Sequence, residues 1–254
     1  MSDAPLSPIP LPNGLTFYPT HRRQLGMAGY LLKEIFKQKF YARKGFELKP
    51  GDTVIDVGAN MGMFALWVAP QIAPGQVYCV EPTSIVETIA DNAKRNNLSN
   101  VVVMHTALGK PGIFEMIEYP GYNIVNHSAK FDHAPWVKFF MKLLYGKYEE
   151  APRTIECPCQ SLEGLLDSQG VKTVDLLKID CEGAEYEILD ETTDATLQRV
   201  KRIAMEFHEL APEHDHRNLV KRLQKAGFEV VVEKPIFGYW VLKLGKIWAT
   251  RTGQ

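Results

Sequence analysis

The sequence predicts an α/β fold: a doubly wound, mostly parallel sheet closed by a C-terminal antiparallel hairpin. Three observations predict it. From residue 50 onward, short β-branched runs alternate with segments of helical period. The first run, residues 53–57, ends in the turn Gly58-Ala-Asn-Met-Gly62 and feeds a helical pattern. Such a strand–turn–helix opens the ligand site at the carboxyl edge of parallel sheets by presenting backbone N–H groups. Two late runs, 228–233 and 238–244, flank Pro235 as a hairpin.

Taken in order, residues 1–20 read as an extended arm with five prolines. Residues 24–42 read as a helix through Leu25, Tyr30, Leu31, Ile35, Phe36 and Phe40. The arm and helix, 1–49, precede a domain over 50–254. After the first strand a helix runs over 61–69. Pro74-Gly75 turns the chain into a second strand, 76–80, which ends at Glu81-Pro82. Ser84-x-x-Glu87 is a capping-box signal for a helix to Asn97, carried by Ile85, Val86, Ile89, Ala90 and Ala93. Strands follow at 101–105, 174–179 and 203–207, with a helix-like 162–167 before the second of these. A last helix, 216–226, stops at Gly227, a normal position for a left-handed helix end.

Residues 113–160 break the rhythm as an insertion rich in aromatics, Asn and His. Asn123, Asn126 and His127 are candidate acceptor contacts. The segment from Pro135 to Tyr148 has only a narrow polar stripe through Lys138 and Lys142, so a helix there buries most of its surface. Packed core with a lid is the first reading, a homodimer face the second, and a membrane-surface helix the third.

The bulk numbers exclude other classes. The chain has 254 residues, 45% hydrophobic and 23% charged, with net charge −1 and no large single-sign block. Nothing in it marks a duplex nucleic-acid footprint. No apolar run reaches the ~20 residues of a membrane span. Cys79, Cys157, Cys159 and Cys181 lack zinc-site spacing, and the N-terminus lacks a signal-peptide layout. A cytoplasmic location with reduced thiols is expected.

The turn carries the first chemical signal. A dinucleotide fingerprint places glycine where the backbone meets a pyrophosphate, and here that place holds Asn60. The turn thus suits a nucleoside without a diphosphate, and S-adenosyl-L-methionine is the candidate. Glu81 closes the second strand 19 residues after Gly62, where an acid accepts bonds from ribose hydroxyls. The second signal lies at two later strand ends. Lys178 and Asp180 share one face by period two, as do Glu206 and His208. Ionisable groups at the ends of two successive strands form a candidate reaction site.

The segments Val54-Ile-Asp-Val-Gly-Ala-Asn-Met-Gly62, Val80-Glu-Pro82, Ala107-Leu-Gly109, Asp175-Leu-Leu-Lys-Ile-Asp-Cys-Glu-Gly-Ala-Glu185 and Ala204-Met-Glu-Phe-His208 resemble those of the FkbM-type methyltransferases. That family is a branch of the class I S-adenosylmethionine-dependent enzymes. The resemblance spans most of residues 50–210. It implies a Rossmann-like seven-stranded sheet with its last strand antiparallel, and O-methylation. It implies that Asp56, Gly58, Ala59, Asn60 and Gly62 surround the methionine part of the cofactor. It sets Glu81 on the ribose, Thr106 and Ala107 beside the adenine, and Asp180 on the cofactor amino group or the substrate.

Methyl transfer to a hydroxyl is an in-line displacement aided by a base. His208 is the expected base because histidine titrates near neutrality, with Glu206 orienting it and Lys178 lowering the hydroxyl's pKa. The cluster Glu213-His-Asp-His216 reads as a solvated loop with Asp215 or His214 near a helix start, and no metal ligands are assigned. The expected activity is O-methylation of a small-molecule hydroxyl, on a sugar or natural-product intermediate. N-methylation of a small amine and a non-catalytic nucleoside-binding module remain as alternatives.

Overall fold

The structure, a computed structural model, describes residues 6–22, 24–38, 41, 43–118, 127–128, 153–235 and 243–253. Two compact units divide the chain, residues 1–105 and 106–254.

In the first unit, the expected extended arm carries a small antiparallel pair, β1 (Ile9–Pro10) and β2 (Thr16–Phe17). The expected helix over 24–42 appears as α1 (Gln24–Leu31), followed by a π-helical turn, Leu32–Lys37. The parallel layer follows as β3 (Val54–Val57), α2 (Met63–Ile72), β4 (Val77–Glu81), α3 (Val86–Arg95) and β5 (Val101–His105). β3 pairs with β4 and β4 with β5, both parallel. Every residue of β3 and β4 is buried, as befits parallel strands covered on both faces. The helix begins at Val86 with Ile85 as its cap, one residue past the expected Ser84, and Ile85 makes no side-chain cap bond; just before it Thr83 turns back onto Glu81. Two asparagines of α3 instead hold the arm as a neighbouring strand would. Asn96 accepts the Thr16 N–H at 2.9 Å and donates to its carbonyl at 2.7 Å. Asn92 does the same for Tyr18 at 2.7 and 2.9 Å.

The second unit begins with β6 (Ala107–Leu108), β7 (Gly112–Glu118), β8 (His127–Ser128) and β9 (Arg153–Gln160). They form a four-stranded sheet in the order β6-β9-β7-β8. The expected insertion over 113–160 therefore opens and closes in two long strands paired antiparallel, from Gly112 opposite Cys159 to Glu118 opposite Arg153. Asn123, Asn126, the 135–148 segment and the dimer and lid readings placed on it lie outside the described residues. His127 falls in β8.

α4 (Leu162–Ser168) is capped by Ser161, whose side chain accepts the Gly164 N–H. β10 (Leu176–Ile179), α5 (Glu185–Glu191), α6 (Asp194–Leu197), β11 (Arg202–His208), α7 (His216–Lys225), β12 (Phe228–Glu233) and β13 (Leu244–Arg251) complete the unit. β10 and β11 are parallel; β13 pairs antiparallel with both β11 and β12. The C-terminal antiparallel pair is present; its second strand is described over Leu244–Arg251, and residues 238–242 of the expected run lie outside the described residues. A Cβ at Gly245 would meet Phe207 Cζ at 2.6 Å and the Glu233 carbonyl at 2.8 Å, so only glycine fits there. Of the expected seven strands, three lie in the first unit and four in the second, in a mixed, mostly parallel α/β architecture. Among the described residues, no helix is long and apolar enough to cross a membrane.

Candidate active site

The turn after β3 is built from three left-handed residues, Gly58 (φ +75°), Asn60 (φ +50°) and Gly62 (φ +81°). Asparagine tolerates this region better than most residues. At Gly62 a Cβ would meet Ile89 Cγ2 at 3.0 Å, so the position is closed to side chains as well as strained for them. The backbone N–H groups of the turn bond within the first unit. Gly58 and Ala59 donate to the Val80 carbonyl at 3.0 and 3.1 Å, and Gly62 donates to the Ala59 carbonyl at 2.9 Å. Asn60 donates to Glu81 Oε2 at 2.9 Å, and Met61 to the Asn60 side-chain oxygen at 2.7 Å. This differs from the expected display of N–H donors. A pyrophosphate needs such donors. S-adenosyl-L-methionine has no phosphate; it carries a sulfonium and an ammonium beside a single carboxylate.

Acidic groups flank the turn. Asp56 is fully buried in β3. Glu81 is 7% exposed at the end of β4 and is oriented by Thr83, whose N–H and Oγ donate to Oε1 at 3.0 and 2.7 Å. The structure thus joins Asn60 and Glu81 directly, a link the spacing alone did not show. Carboxylates beside an N–H-saturated turn fit a cationic, phosphate-free ligand. In the second unit, Thr106 and Ala107 are buried at the start of β6, and the Thr106 hydroxyl donates to the Pro158 carbonyl at 2.9 Å.

The second unit also brings together the groups at the ends of β10 and β11. Their parallel register sets Lys178 opposite Ala204 and Ile179 opposite Met205, which carries Asp180 level with Glu206. Lys178 is 4% exposed, and its Nζ lies 3.8 Å from Asp180 Oδ2. Burial of an ammonium requires such a partner. His208 is 5% exposed. Its Nδ1 bonds Glu185 Oε1 at 2.8 Å, while Nε2 faces Glu182 Oε2 at 3.7 Å and Glu206 Oε1 at 3.8 Å.

Glu185, rather than the expected Glu206, makes the hydrogen bond to the imidazole; it sits at the start of α5, is wholly buried and also accepts the Cys181 N–H at 3.1 Å. Burial lowers the pKa of His208, but the carboxylates of Glu182, Glu185 and Glu206 together hold it well above the ordinary histidine value. Burial raises the Glu182 carboxyl from 4.5 to about 7, against the opposing effect of His208 and with the help of Asp180 and Glu185. Burial and Glu185 push the Cys181 thiol well up, so it is no thiolate nucleophile.

Glu182 and Glu185 were in view in the Lys-Ile-Asp-Cys-Glu-Gly-Ala-Glu segment but received no role. The signal was two further acids just past a strand end that a glycine turn folds back. Glu182 (φ +49°) and Gly183 (φ +100°) are left-handed in succession, and this reversal returns Glu185 beneath β10. The Glu213–His216 segment is also not a solvated loop. His214 stacks on Tyr186 at 4.3 Å, and His216 stacks on Phe207 at 4.8 Å. Both histidines are buried, and Asp215 caps α7.

Comparison with known proteins agrees with this geometry. Residues 56–230, over two thirds of the chain, match the Methyltransferase FkbM domain. The chain is 28% identical over 251 residues to 31-O-demethyl-FK506 methyltransferase FkbM of Streptomyces tacrolimicus, covering 93% of this chain and 94% of that protein. It is 25% identical to Methyltransferase 1 of Beauveria bassiana, covering 87% and 89%. Among solved structures, an Aquifex aeolicus SAM-dependent methyltransferase aligns with a TM-score of 0.44 and 16% identity, over 85% of this chain and 92% of that one. The match includes the Gly58–Gly62 turn, Glu81 and the Lys178–Glu185 segment, and the expected cofactor is S-adenosyl-L-methionine. The chain belongs to the FkbM family of methyltransferases.

Proposed function

We propose that the protein O-methylates a hydroxyl group of a small organic molecule, in a reducing cytoplasm. The observation that carries this reading is the Lys178–Asp180 and Glu206–His208 cluster at the ends of β10 and β11, with Lys178 and His208 buried. A module that only binds a nucleoside has no use for it. The 28% identical relative, named for 31-O-demethyl-FK506, supports oxygen as the acceptor and a natural product as the substrate class. Buried thiols at Cys79, Cys157 and Cys159 suit a reducing compartment.

In this reading the first unit supplies the cofactor turn, with Asp56, Gly58, Ala59, Asn60 and Gly62 at the methionine part and Glu81 at the ribose. S-adenosyl-L-methionine held by these residues would supply an electrophilic methyl group, its sulfur leaving as the thioether of S-adenosylhomocysteine. Thr106 and Ala107 border the adenine. In the second unit, the Lys178 ammonium favours an ionised acceptor oxygen by its charge, with His208 beside it. Glu182, part-exposed and 3.7 Å from His208 Nε2, takes the hydroxyl proton in place of the expected histidine base. Asp180, 31% exposed, is placed to fix the acceptor or the cofactor amino group. Incubation with labelled S-adenosyl-L-methionine and a panel of hydroxyl- and amine-bearing metabolites tests the proposal. Transfer to hydroxyl acceptors is expected; transfer confined to amines refutes it.

A further inference from the structure

The geometry points to a divalent-cation site in the second unit, with Asp180, Glu206 and His208 as ligands and a transition ion of the manganese(II) type as its occupant. One ligand atom from each of these residues lies within 4.8 Å of the others. Metal–donor bonds of about 2.1 Å hold ligand atoms roughly 3 to 4.2 Å apart in an octahedral shell. Glu206 Oε1 and His208 Nε2, at 3.8 Å, already fall in that range. The remaining ligand atoms lie within 4.8 Å, and the part-exposed Asp180 and Glu206 side chains have room to close on an ion.

Proximity of acids alone does not make a metal site; the placement of His208 does. The residue is 5% exposed. Its Nδ1 is committed to Glu185 at 2.8 Å, and its Nε2 makes no hydrogen bond but points between the carboxylates at 3.7 and 3.8 Å. A carboxylate that fixes one ring nitrogen so that the other faces a ligand position is the arrangement found behind metal-bound histidines. Binding of the ion displaces any proton from Nε2, so the metal takes that proton's place between the same carboxylates. One imidazole among carboxylates selects against magnesium, which prefers all-oxygen shells with several waters, and suits manganese or iron. The second acidic group with a histidine, Glu209–Asp215–His216, is occupied otherwise. His216 Nδ1 bonds Glu209 Oε1 at 2.6 Å, and Asp215 is tied to Arg217. If the acceptor binds at this edge, as proposed above, the open positions of the ion would hold its oxygen; the ion site itself does not depend on that reading.

The test is titration of the full-length, EDTA-treated and dialysed protein with Mn²⁺, following free Mn²⁺ by electron paramagnetic resonance. One ion per chain is expected. Affinity should fall at least tenfold in both H208A and E206Q, and by about tenfold in E185Q through the lost orienting carboxylate. D215N should leave it unchanged. S-adenosylhomocysteine binding, measured by calorimetry on the same samples, verifies that each variant is folded. Absence of saturable binding to wild type, undiminished binding in H208A and E206Q, or loss in D215N overturns the site. S-adenosylhomocysteine binding without Mn²⁺ binding removes the ion and leaves the methyltransferase reading intact. One Mn²⁺ bound and lost in H208A and E206Q, in a protein that transfers methyl groups only to amines, upholds the ion and sinks the hydroxyl reading.

Discussion

Replacing Glu185 gives the sharpest test of how the β10–β11 edge is held. The side chain has no exposure and takes two bonds on Oε1, from His208 Nδ1 at 2.8 Å and from the Cys181 N–H at 3.1 Å. Glu185→Ala leaves the His208 ring at 5% exposure without its nearest carboxylate and strands a backbone donor. Breaking a buried charged pair costs about 3–5 kcal/mol, and Glu182 and Glu206 still face the ring, so the lower figure applies. At about 2–4 °C per kcal/mol for a domain of this size, the melting temperature should drop by roughly 6–12 °C. Glu185→Gln keeps an acceptor and the shape, loses only the charge assistance, and should cost about 1–2 kcal/mol. Differential scanning calorimetry at pH 7 in EDTA measures both. An Ala variant within 2 °C of wild type, or a Gln variant less stable than the Ala variant, refutes the reasoning. A Glu185→Ala/His208→Ala double-mutant cycle should show a coupling above about 1 kcal/mol; simple additivity would mean that the two side chains do not act on each other.

Glu81→Ala removes the acceptor of the Asn60 N–H and should weaken S-adenosylhomocysteine binding by about tenfold or 1.4 kcal/mol in calorimetry; unchanged affinity would separate Glu81 from the cofactor. Gly245→Ala forces a Cβ to within 2.6 Å of Phe207 and should lower stability by about 1–3 kcal/mol in urea unfolding. Asn92→Ala removes both bonds to Tyr18 and should expose the first 20 residues to limited proteolysis while the rest of the chain resists. The cluster also predicts a pH trend in EDTA. Glu182, raised from 4.5 to about 7, and His208, raised above 6.5, both bind protons more tightly in the folded state. Their stabilisation is present below the unfolded values and is lost as pH rises through the folded ones. The melting temperature should therefore fall from pH 5 to 8 against the pull of the facing Asp180, Glu185, Glu206 and Lys178, and Glu182→Gln should flatten the part below pH 7.

The parallel core was legible because its signal is local. β5 falls on residues 101–105 as read, and β3, β4 and β11 begin or end within a residue of the runs that announced them. A β-branched stretch buried on both faces looks like little else. β7 and β9 were not legible. They pair across some forty residues, their outer positions are exposed, and Pro158 sits in one of them. Neither has an apolar run, so only the pairing defines them. The site shows the same division. Asp56, Glu81, Lys178, Asp180, Glu206 and His208 announced themselves as ionisable groups in or just past apolar runs. The identity of the residue that grips His208 depended on the reversal at Glu182–Gly183, whose left-handed backbone is invisible in a residue spacing.

The self-satisfied turn at Gly58–Gly62 has a kinetic consequence. Its shape rests on Val80, Ala59, Asn60 and Glu81, none of which needs a ligand to be in place. Association therefore meets a finished surface, and no ordering of this loop opposes it. Departure of the demethylated product likewise lets nothing in the loop collapse. With the cofactor placed there as proposed, its exchange needs no loop ordering at this end, and mutations that slow turnover through cofactor exchange should lie away from the turn.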